Sequence, residues 1–345
     1  MHIVLDFDGT ITVHDTIDHL AAFAVEFQEQ QSRTTSGDPG WDARWKDIVD
    51  KYLADHLDHK AAYALPEDAR TTLEHELAFQ RSLHSVDCRS IQRLREARLF
   101  AGMAPAHERL FAAGQKAVGA DSREDKEDKA DRRVRVRRGF SKFLRETATR
   151  RQWPVSIVSV NWSDAWIQGV LSGGIREAEG DEVGKSDIRV FANKVTASGA
   201  IIPNFRRKDA PTAVGQDHEH DDNVPFASCS DKVEALEAAV AEATADSDDA
   251  VVYMGDSTTD LECLVHAGSQ STGGGRGGGI AMANGDGPAT SKLIQTLVRL
   301  GYEVPHVSES KPFQRPRGEE EGDAPRLAWA RDYEEILASK ILDWV

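Results

Sequence analysis

Short apolar runs alternate along this chain with longer segments whose apolar residues recur at three- and four-residue spacing, the pattern of strands joined by helices. His2-Ile3-Val4-Leu5, Val155-Ser156-Ile157-Val158 and Val251-Val252-Tyr253-Met254 read as buried strands, each running straight into polar residues. Lys232 opens a good helix with apolar positions at 233, 236, 239 and 240, and Ala165 to Leu171 reads as another. Between the first two strands, Thr16 to Gln31, Trp41 to Ala64, Pro66 to Arg98 and Pro105 to Ala117 are helical in tendency, with breaks near Gly37-Asp38-Pro39-Gly40 and at Gly102. Gly279-Ile280-Ala281-Met282 is strand-like, and Leu327 to Val345 reads as a closing helix. With 345 residues the chain is long enough for one α/β core, a mostly parallel sheet, and a second, smaller helical domain.

Chemistry collects where strands end. Asp6 and Asp8 follow the first strand in Asp6-Phe7-Asp8-Gly9-Thr10; spaced by two, their side chains point the same way on extended backbone, with Phe7 on the opposite face. Adjacent carboxylates repel unless a shared proton or a hard, oxygen-seeking cation such as Mg2+ offsets them. A solvated acidic turn is the plainer alternative. The third strand repeats the design in Gly255-Asp256-Ser257-Thr258-Thr259-Asp260. Here Asp256 can reach a metal directly, and Asp260 can do so directly, through water or by orienting a neighbour; helix capping is the competing reading. Ser159 ends the second strand beside a helix start, a place for an anionic oxygen or simply a cap. Lys232 stands where the helix dipole disfavours a cation, so a bound anion, an aspartate cluster or plain exposure must account for it.

In chain order, Asp6-Phe7-Asp8-Gly9-Thr10, Ser159, Lys232 and Gly255-Asp256-Ser257-Thr258-Thr259-Asp260 resemble the four motifs of the haloacid dehalogenase-like superfamily of phosphotransferases, and within it the phosphoserine-phosphatase-like branch, which includes methionine-salvage and thiamin monophosphate phosphatases. The branch carries an acid in its cap segment, matched by Asp15. Phe191-Ala192-Asn193-Lys194-Val195 is similar to its segment after the second motif. Two positions depart from phosphoserine phosphatases: Asp15 stands where they have glutamate, and Ser159-Val160-Asn161-Trp162 where they have Ser-Gly-Gly-Phe.

The resemblance implies a Rossmann-like core over residues 1–13 and 149–345, with flexible insertions near 206–228, 268–279 and 308–325, and a helical C1-type cap over 14–148. It implies a Mg2+-dependent phosphatase acting on a small-metabolite monoester. Asp6 is then the nucleophile and Asp8 the general acid and base. The metal is held by Asp6, the carbonyl of Asp8 and Asp256, with Asp260 in support; Ser159, Asn161 and Lys232 hold phosphate, and Asp15 and Trp162 face substrate or cap. Another phosphotransfer by the same aspartyl-phosphate, or a noncatalytic interaction protein that kept the core, is the alternative.

The remaining features change this picture little. Trp41 and Trp45, like Trp162 and Trp166, are four apart, as on one helical face. The charged run Asp121 to Arg138 reads as a solvated connection, although Arg135 and Arg137 could face a substrate; His218-Glu219-His220-Asp221-Asp222 reads as an exposed acidic loop. The glycine tract Gly273 to Gly279 lacks the setting of a nucleotide phosphate loop. Net charge of -16, from 42 basic and 58 acidic residues, disfavours general nucleic-acid binding. Cys88, Cys229 and Cys263 form neither a disulfide framework nor a zinc motif. With the catalytic strand beginning at His2 and no apolar run long enough for a membrane, a cytoplasmic protein is expected.

Overall fold

The structure, a computed structural model, describes residues 1–31, 40–118, 133–178, 188–206, 224–243, 250–269, 271–272, 275–285, 287–310 and 325–343. Most of the charged run at 121–138, the His218–Asp222 loop, Gly273-Gly274, the break at 37–39 and much of the expected insertions lie outside the described residues.

β1 (His2–Leu5) is followed by α1 (Ile17–Gln31), α2 (Trp41–Ala62), α3 (Leu73–Ser82), α4 (His84–Ala97), α5 (Ala106–Ala117) and α6 (Phe140–Leu144). Then come β2 (Val155–Val158), α7 (Asp164–Ala178), β3 (Arg189–Phe191), β4 (Asn193–Val195), β5 (Ile201–Pro203) and α8 (Cys229–Ala243). The chain finishes with β6 (Val251–Gly255), α9 (Leu261–Ser269), β7 (Ser271–Thr272), β8 (Gly275–Arg276), β9 (Gly278–Met282), α10 (Lys292–Arg299), β10 (Leu327–Ala330) and α11 (Tyr333–Ser339). The main sheet has six strands in the order β10-β9-β6-β1-β2-β3, and every pairing in it is parallel. β1, β2, β6, β9 and β10 are buried along their whole length, as strands covered on both faces must be. Inside this apolar layer the one polar pair of β1 and β2 is satisfied across the strands, His2 Nε2 to Ser156 Oγ at 3.0 Å.

Three features depart from the sequence reading. Residues 66–98 are not one helix: the chain breaks at 70–72, where the Thr72 hydroxyl accepts from His75 N at 3.3 Å and starts α3, and again at Leu83. Residues 327–345 begin as an edge strand, because the short run Leu327-Ala328-Trp329-Ala330 finds its partner in β9, and only from Asp332, whose side chain accepts from Glu335 N, does a helix start. Trp162 precedes α7 and so does not share a helical face with Trp166.

Glycines set how closely two helices approach. A Cβ on Gly169 of α7 would lie 2.1 Å from Phe111 O of α5, and one on Gly114 of α5 would lie 2.4 Å from Trp166 O of α7. Backbone therefore meets backbone, and α5 is fixed to the helix that follows β2.

Candidate active site

Strand register assembles the site. Ile157 of β2 and Met254 of β6 both lie opposite Leu5, so Ser159 and Asp256, each two residues further on, leave the sheet on either side of the turn that begins at Asp6. The chain reaches β2 on one side of β1 and β6 on the other, which opens the crevice at the carboxyl ends where such sheets bind ligands.

Lys232 resolves the question its position raised. Only 1% exposed, it donates through Nζ to Asp6 Oδ1 at 2.9 Å and to Asp260 Oδ1 at 2.6 Å, so an aspartate cluster accounts for it. Asp6 and Asp260 are themselves 3% and 0% exposed. Asp260 also accepts from Tyr253 OH at 2.6 Å and, through Oδ2, from Ser257 N and Oγ, each at 3.1 Å. With Ser257 it forms a capping box, so capping and orientation of Lys232 are one arrangement.

Carboxylate oxygens of Asp6, Asp256 and Asp260 lie within 4.8 Å of one another. Burial, the Asp260 charge and the Asp256 charge push Asp6 well up from the usual carboxylate range, with Lys232 opposing them. Asp256 is pushed up to about 7 by burial first and by Asp260 second. An all-oxygen donor set with surplus negative charge fits a hard divalent cation such as Mg2+. Asp260 also accepts hydrogen bonds on both oxygens, Oδ1 from Lys232 and Tyr253 and Oδ2 from Ser257, so it orients Lys232 as well.

Asp8 sits on a separate set of donors. Its Oδ1 accepts from Thr16 N at 2.8 Å and its Oδ2 from Asn161 Nδ2 at 2.8 Å. Burial, followed by the charge of Asp15, raises it to about 7 against these hydrogen bonds. The Asn161 amide also donates to Thr16 Oγ1 at 3.3 Å and its Oδ1 accepts from Ser163 N at 3.2 Å, while its backbone N–H donates to Ser159 Oγ at 3.2 Å. Asn193, by donating to Asn161 O and Phe226 O and accepting from Phe226 N, staples the loop after β2 to the approach to α8.

Asp15 is exposed and accepts from Ile17 N at 2.7 Å at the start of α1. Trp162 is half-buried and meets Trp45 of α2 and Phe100 edge-on, with ring centres 6.0 and 6.1 Å away, so it joins the loop after β2 to the helices above it. Trp166 is buried and donates to Thr16 Oγ1 at 3.1 Å. From α3, Gln80 accepts from Thr258 Oγ1 at 3.3 Å, which brings that helix onto the loop carrying Asp256 and Asp260.

At the turn the structure adds a close contact to the expected role of Gly9 and corrects the reading of Arg137. Gly9, with φ at +71°, lets the backbone pass so close to Asp256 that an added Cβ would lie 2.0 Å from Asp256 Oδ2. Arg137, from the arginine-rich run, is buried rather than solvated, and bonds to carbonyls rather than facing the crevice. Gly9 had a local signal in the Asp8-Gly9 turn; Arg137, flanked by other arginines, had none that separated it from them.

No protein-family model and no curated protein matches the chain. Among solved structures, it resembles a phosphoserine phosphatase carrying a phospho-aspartyl intermediate analogue, at 15% identity over 97% of this chain and 96% of that one, with a TM-score of 0.41. It also resembles a substrate-bound phosphoserine phosphatase complex, at 14% identity over 97% and 96% with a TM-score of 0.40. A HAD family hydrolase from Salmonella enterica serovar Typhi is similar at 15% identity over 81% of this chain and 61% of that one, with a TM-score of 0.40. No described helix is long and apolar enough to cross a membrane.

Proposed function

We propose that this chain is a Mg2+-dependent phosphatase that hydrolyses a small phosphate monoester through an aspartyl-phosphate on Asp6. The observation that carries the reading is the pairing of Asp6 with buried Lys232 at 2.9 Å, beside Asp256 and two residues from an Asp8 whose proton is held near neutrality. Packing alone does not call for so many buried ionisable groups at one strand end.

In this reading an Asp6 oxygen forms a bond to phosphorus while the ester P–O bond breaks. Asp8, protonated, gives its proton to the departing alkoxide; as carboxylate it then takes a proton from water, whose oxygen attacks phosphorus and breaks the bond to Asp6. Lys232 and the Ser159 hydroxyl stand where phosphoryl oxygens gather charge. Thr16 and Asn161 aim the Asp8 carboxyl at the leaving oxygen. Asp6, Asp256 and the Asp8 carbonyl would hold Mg2+, which, when bound, offsets negative charge on the phosphoryl group. The helices α1 to α4 form the cap that excludes water and reads the leaving group, with Asp15 and Trp162 on its side of the crevice.

The test is phosphate release from a panel of metabolite monoesters with Mg2+, beside Asp6→Asn and EDTA controls. Turnover lost in both controls is expected. A folded protein that binds Mg2+ yet releases phosphate from nothing in a broad panel refutes the reading.

A further inference from the structure

The turn after β1 is tied on one side by its own amides: Thr10, Ile11 and Thr12 N–H all lie on Phe7 O, and Gly9 N donates to Thr12 Oγ1 at 3.2 Å. Its outer carbonyls are tied chiefly by one side chain, which reaches two of them. Arg137, 5% exposed, donates through Nε to Thr10 O at 3.1 Å and through Nη2 to Gly9 O. Its Nη1 donates to Asn284 Oδ1 at 2.9 Å and to Arg331 O at 2.6 Å, in the loops that follow β9 and β10. The backbone of the same residue donates to Ile11 O at 2.8 Å, and Val13 N donates to Arg135 O at 2.9 Å, so the returning segment 133–138 runs as a ribbon beside the turn. Tyr333 OH adds a second donor to Thr10 O at 3.3 Å, and Asn284 Nδ2 reaches Val13 O at 2.9 Å.

Burying a guanidinium is costly unless its donors are satisfied in fixed directions, and filling space is done better by an apolar side chain. Here the planar fork meets acceptors from three separate loops, a geometry that lysine, with one ammonium, does not reproduce. The consequence falls on the site. Gly9 O is one peptide from the Asp8 carbonyl, and the Gly9 backbone lies against the Asp256 carboxylate, so the bond to Gly9 O sets both.

We propose that Arg137 is a positioning residue: its guanidinium holds the carbonyl side of the Asp6–Thr12 turn in register with the loops after β9 and β10, and thereby fixes where Asp8 and Asp256 stand. Its kinetic consequence rests on the phosphatase reading; its effect on the turn does not.

The test compares Arg137→Lys with the parent and with Arg138→Ala, an exposed neighbour paired with Asp332 and Glu334. Two readouts are taken: hydrogen–deuterium exchange of the peptide spanning residues 6–13, and kcat and KM on whichever monoester the panel identifies. Arg137→Lys is expected to speed exchange in that peptide about tenfold or more while α10 is unchanged, because the hydrogen bonds lost are local to the turn. It is expected to lower kcat about 100-fold with KM nearly unchanged, the cost of displacing catalytic groups by about 1 Å. Arg138→Ala should do neither. Should Arg137→Lys fail to fold, Asn284→Ala removes one acceptor of the fork and is read in the same way, with a smaller effect of the same pattern. Unaltered exchange in residues 6–13, or an equal rise across the whole protein, overturns the proposal. Local loosening of the turn in a protein that hydrolyses nothing upholds it and removes the phosphatase reading alone.

Discussion

Gly9 and Gly102 form a natural pair for separating backbone strain from steric conflict. Both have positive φ, +71° and +73°, a region that costs an L-residue about 1–2 kcal/mol. Around Gly102 nothing lies within 4 Å of an added Cβ, whereas at Gly9 that atom would lie 2.0, 2.4 and 2.7 Å from Oδ2, Cγ and Oδ1 of Asp256. Gly102→Ala should therefore lose only the conformational part, about 1–2 kcal/mol. Gly9→Ala should lose that and the cost of overpacking, about 1–3 kcal/mol more, for a total of about 2–5 kcal/mol.

The assay is urea unfolding of both single variants, of Asp256→Ala and of the Gly9→Ala/Asp256→Ala pair, with free energies from midpoints and slopes. The overpacking cost belongs to the Asp256 carboxylate, so it should vanish in the double variant and appear as a coupling of about 1–3 kcal/mol. Phosphate release should be lost in Gly9→Ala and kept in Gly102→Ala, since only the first drives Asp256 from its place beside Asp6. Equal destabilisation by the two alanines, or additive behaviour of Gly9→Ala and Asp256→Ala, would refute the claim that the turn is held by close approach of backbone to carboxylate.

Other outcomes follow from groups at and away from the turn. With Asp8 raised to about 7, the protonated form needed to assist a poor leaving group is lost as pH rises through that value; kcat for an alkyl monoester should fall above pH 7 and that for an aryl ester, which leaves unaided, should fall less. Asp87 of α4 is also raised to about 7, by burial first, and Tyr52 OH donates to it at 3.4 Å. A folded-state pKa above the unfolded value means stability present below about pH 4 and lost as pH rises through 7, so Asp87→Asn should exceed the parent by at least about 1 kcal/mol at pH 8 and lose that advantage at pH 4, as read by unfolding at the two pH values. Gly169→Ala places a methyl 2.1 Å from Phe111 O and must part α5 from α7; a loss of about 3 kcal/mol or more is expected in urea, and a loss under about 1 kcal/mol would contradict the backbone contact.

What could be read from the sequence was what short contiguous segments encode. Asp6 with Asp8, and Asp256 with Asp260, each occupy a few residues at a strand end, where spacing alone fixes which way side chains leave the sheet. Lys232 was legible as an anomaly, because the helix dipole disfavours a lysine in a first turn, but exposure could also have accounted for it and the partners lay 226 and 28 residues away. β10 was misread because a four-residue apolar run carries no period that separates a covered strand from a buried helical turn. Arg137 was misread for a different reason: Arg135, half-buried against His14, and Arg137, buried under the turn, stand two apart in one run, and only the loops after β9 and β10 distinguish them. Trp162 was placed on a helix that starts two residues later, since Ser163 Oγ accepts from Trp166 N and sets the helix start there.

The charge balance of the crevice gives the arrangement its logic. Four carboxylates, Asp6, Asp8, Asp256 and Asp260, face two buried cations, and both cations are committed: Lys232 bridges Asp6 and Asp260, and Arg137 is bound to carbonyl oxygens. Among the described residues no cation forms an ion pair with Asp8 or Asp256, and these are the two whose burial carries them to about 7. Like charges a few ångströms apart cost about 4 kcal/mol per pair at an effective dielectric of 20, more than a hydroxyl contact such as that from Thr10 Oγ1 at 3.4 Å returns. Lys232 and Arg137 offset part of this repulsion at Asp256, and uptake of protons relieves the rest. Asp8 can hold a proton without loss, since the proposed chemistry begins with it protonated; Asp256 must shed its proton to take the ligand role proposed for it. On the proposed reading one fold keeps two neighbouring carboxyls near the same pKa for opposite ends, with Asn161 and Thr16 fixing the first and Gly9 confining the second.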